Sequence, residues 1–394
     1  MTMNPTYPLP SSSSLEVGRL SRIFDNMSEC YKLFWFQAIL TKICEGREQF
    51  TFEELIDQMI VDAWYMVSEY KLNLGPADTL EALVHYVYEN SGIKSSEKKE
   101  KLQKFLDDCS AGRIHITDAD DKDFSKELTR RKKLLTLNVP YRLQAPFMDA
   151  MKGKQAWDVR PALLAERINQ QQRLMYYFSH ISGLDTVVEI TKPWHDYMTA
   201  NQEILRGWIQ FNMIAYLQRR NPNVPGIINK LQPPQERKLE KVKKFWTAVS
   251  EVSQVRDIYA GETMGAKGMS IDHFVPWSYV AHDEFWNLSP TTRSANSSKG
   301  SCLPEWELYF PRLCGIQYQA YQVLWEHGNV RTVFEQCSKE HINSDEAWMK
   351  LYSPELSRET FTRSLEEILL PVWQSAHNQG FREWRYHESD TQLL

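Results

Sequence analysis

The apolar positions of this chain fall mostly at helical spacing, and one stretch breaks the rhythm. Residues 15–44 read as one or two helices. Leu33, Phe34, Trp35, Phe36, Ile39, Leu40 and Ile43 are too dense for a single stripe, so a helix buried on most sides is expected. Thr51-Phe52-Glu53-Glu54 has the form of a capping box and opens a helix to about Tyr70, with Leu55, Ile56, Met59, Ile60 and Ala63 on its apolar side. Gly75-Pro76 breaks the pattern, and helices over 78–90 and 95–108 follow. Pro140 and Pro146 make 134–147 a strand-and-loop region, 161–179 is again helical, and 181–190 holds a short strand. A long helix is expected over 194–217 and a lysine-rich one over 235–252, with breaks at 221–226 and at Pro233-Pro234. Helices over 318–337, 345–351 and 360–373 close the chain. Residues 1–14, rich in Pro and Ser, read as a loosely docked arm.

Between 255 and 300 the period changes. Val255-Arg256-Asp257-Ile258-Tyr259 reads as a strand, 260–268 as a glycine-rich turn, and 269–274 as a second strand with alternating polarity. An ideal strand points Asp272 and His273 to opposite faces, so an irregular strand end closed by Pro276 is expected if both serve one site. A short helix starts near Pro290-Thr291-Thr292 and stops at Gly300. Within it Arg293, Asn296 and Lys299 recur every three residues and share a broad face. Asp272 and Asn296 offer the two oxygen ligands that a hard cation such as Mg²⁺ needs beside its waters. His273 is a candidate general base, because imidazole titrates near neutral pH. Asn287 has donors and acceptors with which to pin the loop between them.

The pattern runs D-H, two hydrophobic residues, P-x-S, then N, then T-R-S-x-N-x-x-K. It is carried by Asp272, His273, Pro276, Ser278, Asn287, Thr292, Arg293, Ser294, Asn296 and Lys299. This resembles the HNH (ββα-metal) endonuclease family, in the cysteine-free form found inside RNA-guided CRISPR effector nucleases. The resemblance implies that Asp272 and Asn296 bind one Mg²⁺ or Mn²⁺, that His273 activates water, and that Asn287 is the structural middle asparagine. Asn in place of a final His is a known variation of the family pattern. The whole chain is also similar to bacterial HNH proteins with a long helical N-terminal region. That similarity implies defence against phage or other foreign DNA, with the N-terminal half as sensor, regulator or partner-docking region.

The expected fold is mainly α with an embedded ββα-metal nuclease domain. Its expected layout is a helical region over 1–190, the nuclease domain with its preceding basic helices over 191–340, and a helical extension over 341–394. The expected function is metal-dependent hydrolysis of phosphodiester bonds in DNA. Two alternatives stand beside it: a restriction-like or mobile-element nuclease, and a nucleic-acid-binding scaffold subunit with a gated or silent HNH fold. Cleavage of RNA by a toxin is a weaker third.

Composition narrows the partners. Net charge is −5 in 394 residues, so DNA must be met by a local basic surface rather than by overall charge. Between Ile204 and Phe245 nine basic residues (Arg206, Arg219, Arg220, Lys230, Arg237, Lys238, Lys241, Lys243, Lys244) face two acidic ones, Glu236 and Glu240. Such an excess suits sequence-independent phosphate contact, and Lys241, Lys243, Lys244, Arg293 and Lys299 are the candidate DNA-binding residues. A solvated helix face is the plainer reading of the lysines. Arg130-Arg131-Lys132-Lys133 reads as a solvated face before a phosphate contact, and the aspartates of 118–123 as a solvated acidic turn.

The 13 Trp suggest aromatic-stapled helical cores. Six Cys without a CxxC pair leave no zinc framework and fit a reduced cytoplasm. No signal sequence begins the chain and no apolar run is long enough to span a membrane. Asp283 is expected to cap the turn before Trp286, in preference to forming a second metal site with His282, and His341 is given no role. An uncontrolled nuclease would damage its own cell, so gating by a regulatory protein, a ligand or a second copy of the chain is expected.

Overall fold

A computed structural model of the chain describes residues 9–25, 27–113, 121–151, 153–234, 237–265 and 268–387. The expected arm over 1–14, the acidic stretch 118–123, the turn 260–268 and the start of the 235–252 helix each lie partly outside these residues. Two compact units emerge: residues 1–222 with 231–233, and residues 223–230 with 234–394. The sequence-based boundaries at 190/191 and 340/341 fall inside them. Strand pairing and helix packing continue through 190 in the first unit, and the C-terminal helices share a core with the motif in the second.

The first unit is helical around one small sheet. Strands β1 (Gln49–Thr51), β2 (Tyr176–Ser179) and β3 (Val187–Ile190) pair antiparallel in the order β1-β3-β2. The capping box forms: Thr51 Oγ1 accepts from the Glu54 amide at 3.2 Å and Glu54 Oε2 from the Thr51 amide at 2.7 Å. The helix it opens, Phe52–Trp64, continues as a π-helical turn, Tyr65–Glu69. Trp35 and Phe36 are fully buried on the helix Tyr31–Cys44, as their density predicts.

Several elements differ from expectation. Residues 134–147 hold a helix, Val139–Arg142, and a 3₁₀ turn, Ala145–Phe147, each with its proline near the first position, where no amide donor is missed. The helix from Pro161 stops at Asn169, and the aromatic run Tyr176–Ser179 is strand. The long helix over 194–217 is two, Lys192–Ala200 and Gln202–Arg220. The basic cluster is not wholly solvated. Lys132 is 1% exposed, with Nζ 2.7 Å from Asp57 and 2.9 Å from Glu53.

The second unit packs helices Glu240–Val252, Trp306–Glu326, Gly328–His341 and Arg358–Asn378 around four short strands of the motif region. These strands are β4 (Val255–Arg256), β5 (Thr263–Met264), β6 (Ser270–His273) and β7 (Leu288–Thr291). The pairing corrects the sequence reading: β4 pairs with β5, inside the expected turn, and β6 pairs antiparallel with β7. Residues 290–291, read as a helix start, are strand. Alternate amides of a two-stranded ladder point out of the pair, so Pro290 is tolerated there. Phe245, Phe285 and Phe334 form the aromatic core beneath, with ring centroids 5.0–5.6 Å apart. Gln317 Nε2 donates to the Leu288 carbonyl at 2.8 Å, tying β7 to the helix Trp306–Glu326. The C-terminal segment is integral: β8 (Leu303–Pro304) pairs parallel with β9 (Glu383–Trp384), and Trp384 packs edge-on against Tyr259.

Candidate active site

Local sequence builds the frame of the site. Asp257 lies just after β4, and its Oδ2 accepts from Thr291 Oγ1 at 2.9 Å and from the Thr292 amide at 2.8 Å. Thr292 in turn caps the motif helix Arg293–Lys299 by accepting from the Ala295 amide. Gly300, at φ 53°, ends it. Asn287 is fully buried and grips both backbone groups of Val275, accepting from its amide at 2.8 Å and donating to its carbonyl at 2.9 Å. It thereby closes the loop after β6.

The end of β6 is regular. Asp272 pairs with Ser289 and His273 with Leu288, without a bulge, so the irregular strand end is not found. The two side chains alternate across the strand and make separate sets of contacts. Asp272 Oδ2 accepts from Tyr259 Oη at 2.7 Å, and Lys299 Nζ lies 3.0 Å from Oδ2 and 3.1 Å from Oδ1. Lys299 also donates to the His273 carbonyl at 2.7 Å. Burial, and then the neighbouring Asp272 charge, push the Tyr259 phenol well above its usual range, so it stays a donor. Asn296 Nδ2 donates to Ser270 Oγ at 2.8 Å and to the Ile271 carbonyl at 3.4 Å, beside Asp272 on β6.

The shared face expected of Arg293, Asn296 and Lys299 is therefore divided. Arg293 is exposed and Asn296 half-buried, but Lys299 is 1% exposed and acts as counter-ion to Asp272. The reason is that β6 covers the last turn of the helix.

On the other side, His273 Nε2 is 2.8 Å from Asp283 Oδ1, and Nδ1 is 3.3 Å from Arg237 Nη1. Burial lowers the His273 pKa, which keeps the ring neutral. Burial works most strongly against the ionised form of Asp283, but the His273 hydrogen bond and the neighbouring His273, His341 and Arg237 together outweigh it and hold the carboxyl below its usual value. The Asp283 carboxylate is thus spent on His273, and the expected cap of the turn before Trp286 is not among its contacts with the described residues. The Asp283 main-chain carbonyl accepts from His341 Nδ1 at 2.8 Å, so His341 acquires a role that its isolation in sequence did not suggest.

The basic stretch over 204–245 is divided between the two units, and one of its members is buried. Arg206, Arg219 and Arg220 belong to the first unit. Lys230 is buried in the second and donates to the Ser278 and Tyr279 carbonyls at 2.7 and 2.6 Å. Lys243 and Lys244 are exposed on the helix Glu240–Val252, while Lys241 pairs with Glu340. Glu236 lies outside the described residues.

Residues 257–305 match the model of a family described as HNH endonuclease. The comparisons with curated proteins and with solved structures returned no match. The HNH match begins at the Asp257 anchor and ends just beyond β8, so it contains Tyr259, Asp272, His273, Asp283, Asn287, Asn296 and Lys299. The fold is mainly α-helical with this HNH segment embedded in the second unit, as the sequence predicts.

Asp272 and Asn296 carry oxygen donors of the kind a hard cation takes, although among the described residues no three His, Cys, Asp or Glu side chains gather around one point. A carboxylate has about four lone-pair sites, and Asp272 uses one on Oδ2 for Tyr259 and one on each oxygen for Lys299, which leaves room on Oδ1. Asn296 spends its amide nitrogen on β6, which turns its oxygen the other way. Sequence reasoning missed Tyr259, and it placed Arg237 only within a general basic excess. Asp283 stood out beside His282, but nothing local said that it would meet His273.

Proposed function

We propose that this chain is a metal-dependent endonuclease that hydrolyses phosphodiester bonds in DNA, acting in bacterial defence against phage or other foreign DNA. The observation that carries the reading is the Asp272-His273 pair at the end of β6, with Asn296 beside Asp272 and Asn287 holding the loop, inside the segment that matches the HNH model. Because the strand is regular and the two side chains leave on opposite faces, one phosphate reaches both only across the end of the strand or after that end shifts. Asp272 and Asn296 would hold Mg²⁺ or Mn²⁺, which supplies charge stabilisation at the phosphate and the leaving 3′ oxygen. His273 accepts the proton of the attacking water, and its burial keeps it in the neutral form that a base requires. Asn287 keeps the loop closed behind His273. Arg293, Lys243 and Lys244 are exposed cations suited to backbone phosphates, and Lys241 joins them if it leaves Glu340.

The test is cleavage of supercoiled plasmid and of single-stranded DNA with Mg²⁺, Mn²⁺ or EDTA, comparing the intact chain with His273→Ala. Metal-dependent nicking that disappears in the variant supports the reading, and nicking that survives it sinks the mechanism. A second reading has its own support: His273 and Asp272 are 1% and 4% exposed, and Arg237 and Lys299 sit on the groups that would react. A site closed in this way suits a gated nuclease, or a nucleic-acid-binding subunit that cuts only within a larger assembly. Tight DNA binding without metal-dependent cleavage, unchanged by His273→Ala, favours it.

A further inference from the structure

We propose that Asp283 is the positioning residue of His273, holding the imidazole in the Nε2–H tautomer so that the Nδ1 lone pair is the one presented to the reacting water. The catalytic part of this proposal rests on the hydrolytic reading above. Two independent neighbours demand the same tautomer. An ionised carboxylate only accepts hydrogen bonds, so the 2.8 Å contact from Nε2 to Asp283 Oδ1 places the ring proton on Nε2. A guanidinium only donates, so Arg237 Nη1 at 3.3 Å requires a lone pair on Nδ1. A neutral imidazole has one N–H, and both requirements are met by one form and by no other.

Asp283 is itself held from outside the motif. His341 Nδ1 donates to its main-chain carbonyl at 2.8 Å, and Asn343 Nδ2 donates to Glu284 Oε1 at 2.8 Å. Ala281, at φ 54°, turns the chain into this loop from the short helix Trp277–Val280. Phe285 anchors the loop's far end in the aromatic core. The end of the helix Gly328–His341 therefore sets the aim of a residue far from it in sequence. In the reaction, Nδ1 takes the water proton as the oxygen bonds to phosphorus and the P–O3′ bond breaks. The 3′ oxygen leaves with the bonding pair and is protonated from solvent, while Nε2–H keeps its hydrogen bond to Asp283, whose charge stabilises the imidazolium until it returns its proton to solvent. In the free protein Arg237 occupies the Nδ1 lone pair and must move aside before water can use it.

The experiment uses the full chain with ¹⁵N-labelled histidine. Long-range ¹H–¹⁵N spectra report the protonation of each ring nitrogen, and His273→Ala identifies the His273 signals. Asp283→Asn keeps an acceptor oxygen. Asp283→Ala removes it, and Asp283→Leu removes it at similar volume, which guards against loop collapse. The expected result is a protonated Nε2 and a bare Nδ1 in the wild type and in Asp283→Asn, with loss of that preference in the Ala and Leu variants. In plasmid cleavage, kcat should fall about 10- to 100-fold in Ala and Leu, a part of the ~10²–10⁴ that a general base contributes. KM should stay nearly constant, and Asn, which keeps the acceptor but not the charge, should recover only part of kcat. An unchanged tautomer in both Ala and Leu overturns the proposal, as does a lost tautomer with unchanged kcat. If the wild type does not cut, the reading of a free-standing hydrolase fails in favour of a gated or silent site, and the spectra still decide whether Asp283 holds the ring.

Discussion

Lys299 offers a sharp test, because its sequence context and its structural surroundings give opposite answers. As a surface phosphate contact it would matter little to stability, since exposed substitutions stay within about 0.5 kcal/mol. In the structure its ammonium is buried, lies 3.0 and 3.1 Å from the two Asp272 oxygens, and donates to the His273 carbonyl at 2.7 Å. Lys299→Met keeps much of the volume and removes the charge. Asp272 then retains only the Tyr259 hydroxyl among these partners, in a site where its side chain is 5% exposed. Removing one partner of a buried ion pair costs about 3–5 kcal/mol. The assay is urea unfolding of the full chain in EDTA, with hydrogen exchange over residues 270–299 reporting the unit concerned. Asp272→Asn and the double variant complete the cycle. The neutral amide needs no counter-ion, so the double variant should lose much less than the sum of the singles, by about 2 kcal/mol or more. The salt slope of DNA binding should not change in Lys299→Met. A loss below about 1 kcal/mol together with a shallower salt slope would refute the internal ion pair.

Three further outcomes follow from the same geometry. Asn287→Ala orphans the buried amide and carbonyl of Val275, at about 1–3 kcal/mol each, so a loss of about 2–6 kcal/mol is expected. Asp at 287 should not rescue it, because the donor is lost and a charge is buried; a loss under about 1 kcal/mol would show that the loop is held otherwise. Burial lowers the His273 pKa, so the base form persists below the ordinary histidine value of about 6.5; single-turnover cleavage should fail only as pH drops through that lowered value, and an acid limb at or above 6.5 contradicts the assignment. Burial pushes the thiols of Cys109, Cys314 and Cys337 up to about 12 and that of Cys30 well above its usual value. Native labelling with a thiol reagent should therefore reach Cys44 and Cys302 first, and rapid modification of any of the other four would show that the core opens.

The HNH motif and its frame were legible where a few adjacent residues decide the outcome. Thr51 and Glu54 close a capping box on each other, Thr292 and Gly300 bound the motif helix, and Asn287 pins a loop 12 residues back. Each such contact spans a short loop, so its residue types carry the information themselves. What local pattern could not supply was the partner across a long separation. The strand that pairs with β6 begins at Leu288, beyond a loop whose length the alternation of 269–274 does not encode. Lys132 and Lys299 share the chemistry of exposed lysines in sequence, yet each is buried against carboxylates brought by other elements: Glu53 and Asp57 for one, Asp272 for the other. Arg237, Asp283 and His341 converge around His273 only because three separate segments pack on one core. The sequence by itself determined the chemical inventory of the site and the ends of its helix. Tertiary structure decided which charges leave water and which lone pair of His273 is available, because burial belongs to the packing of several elements and to no one of them alone.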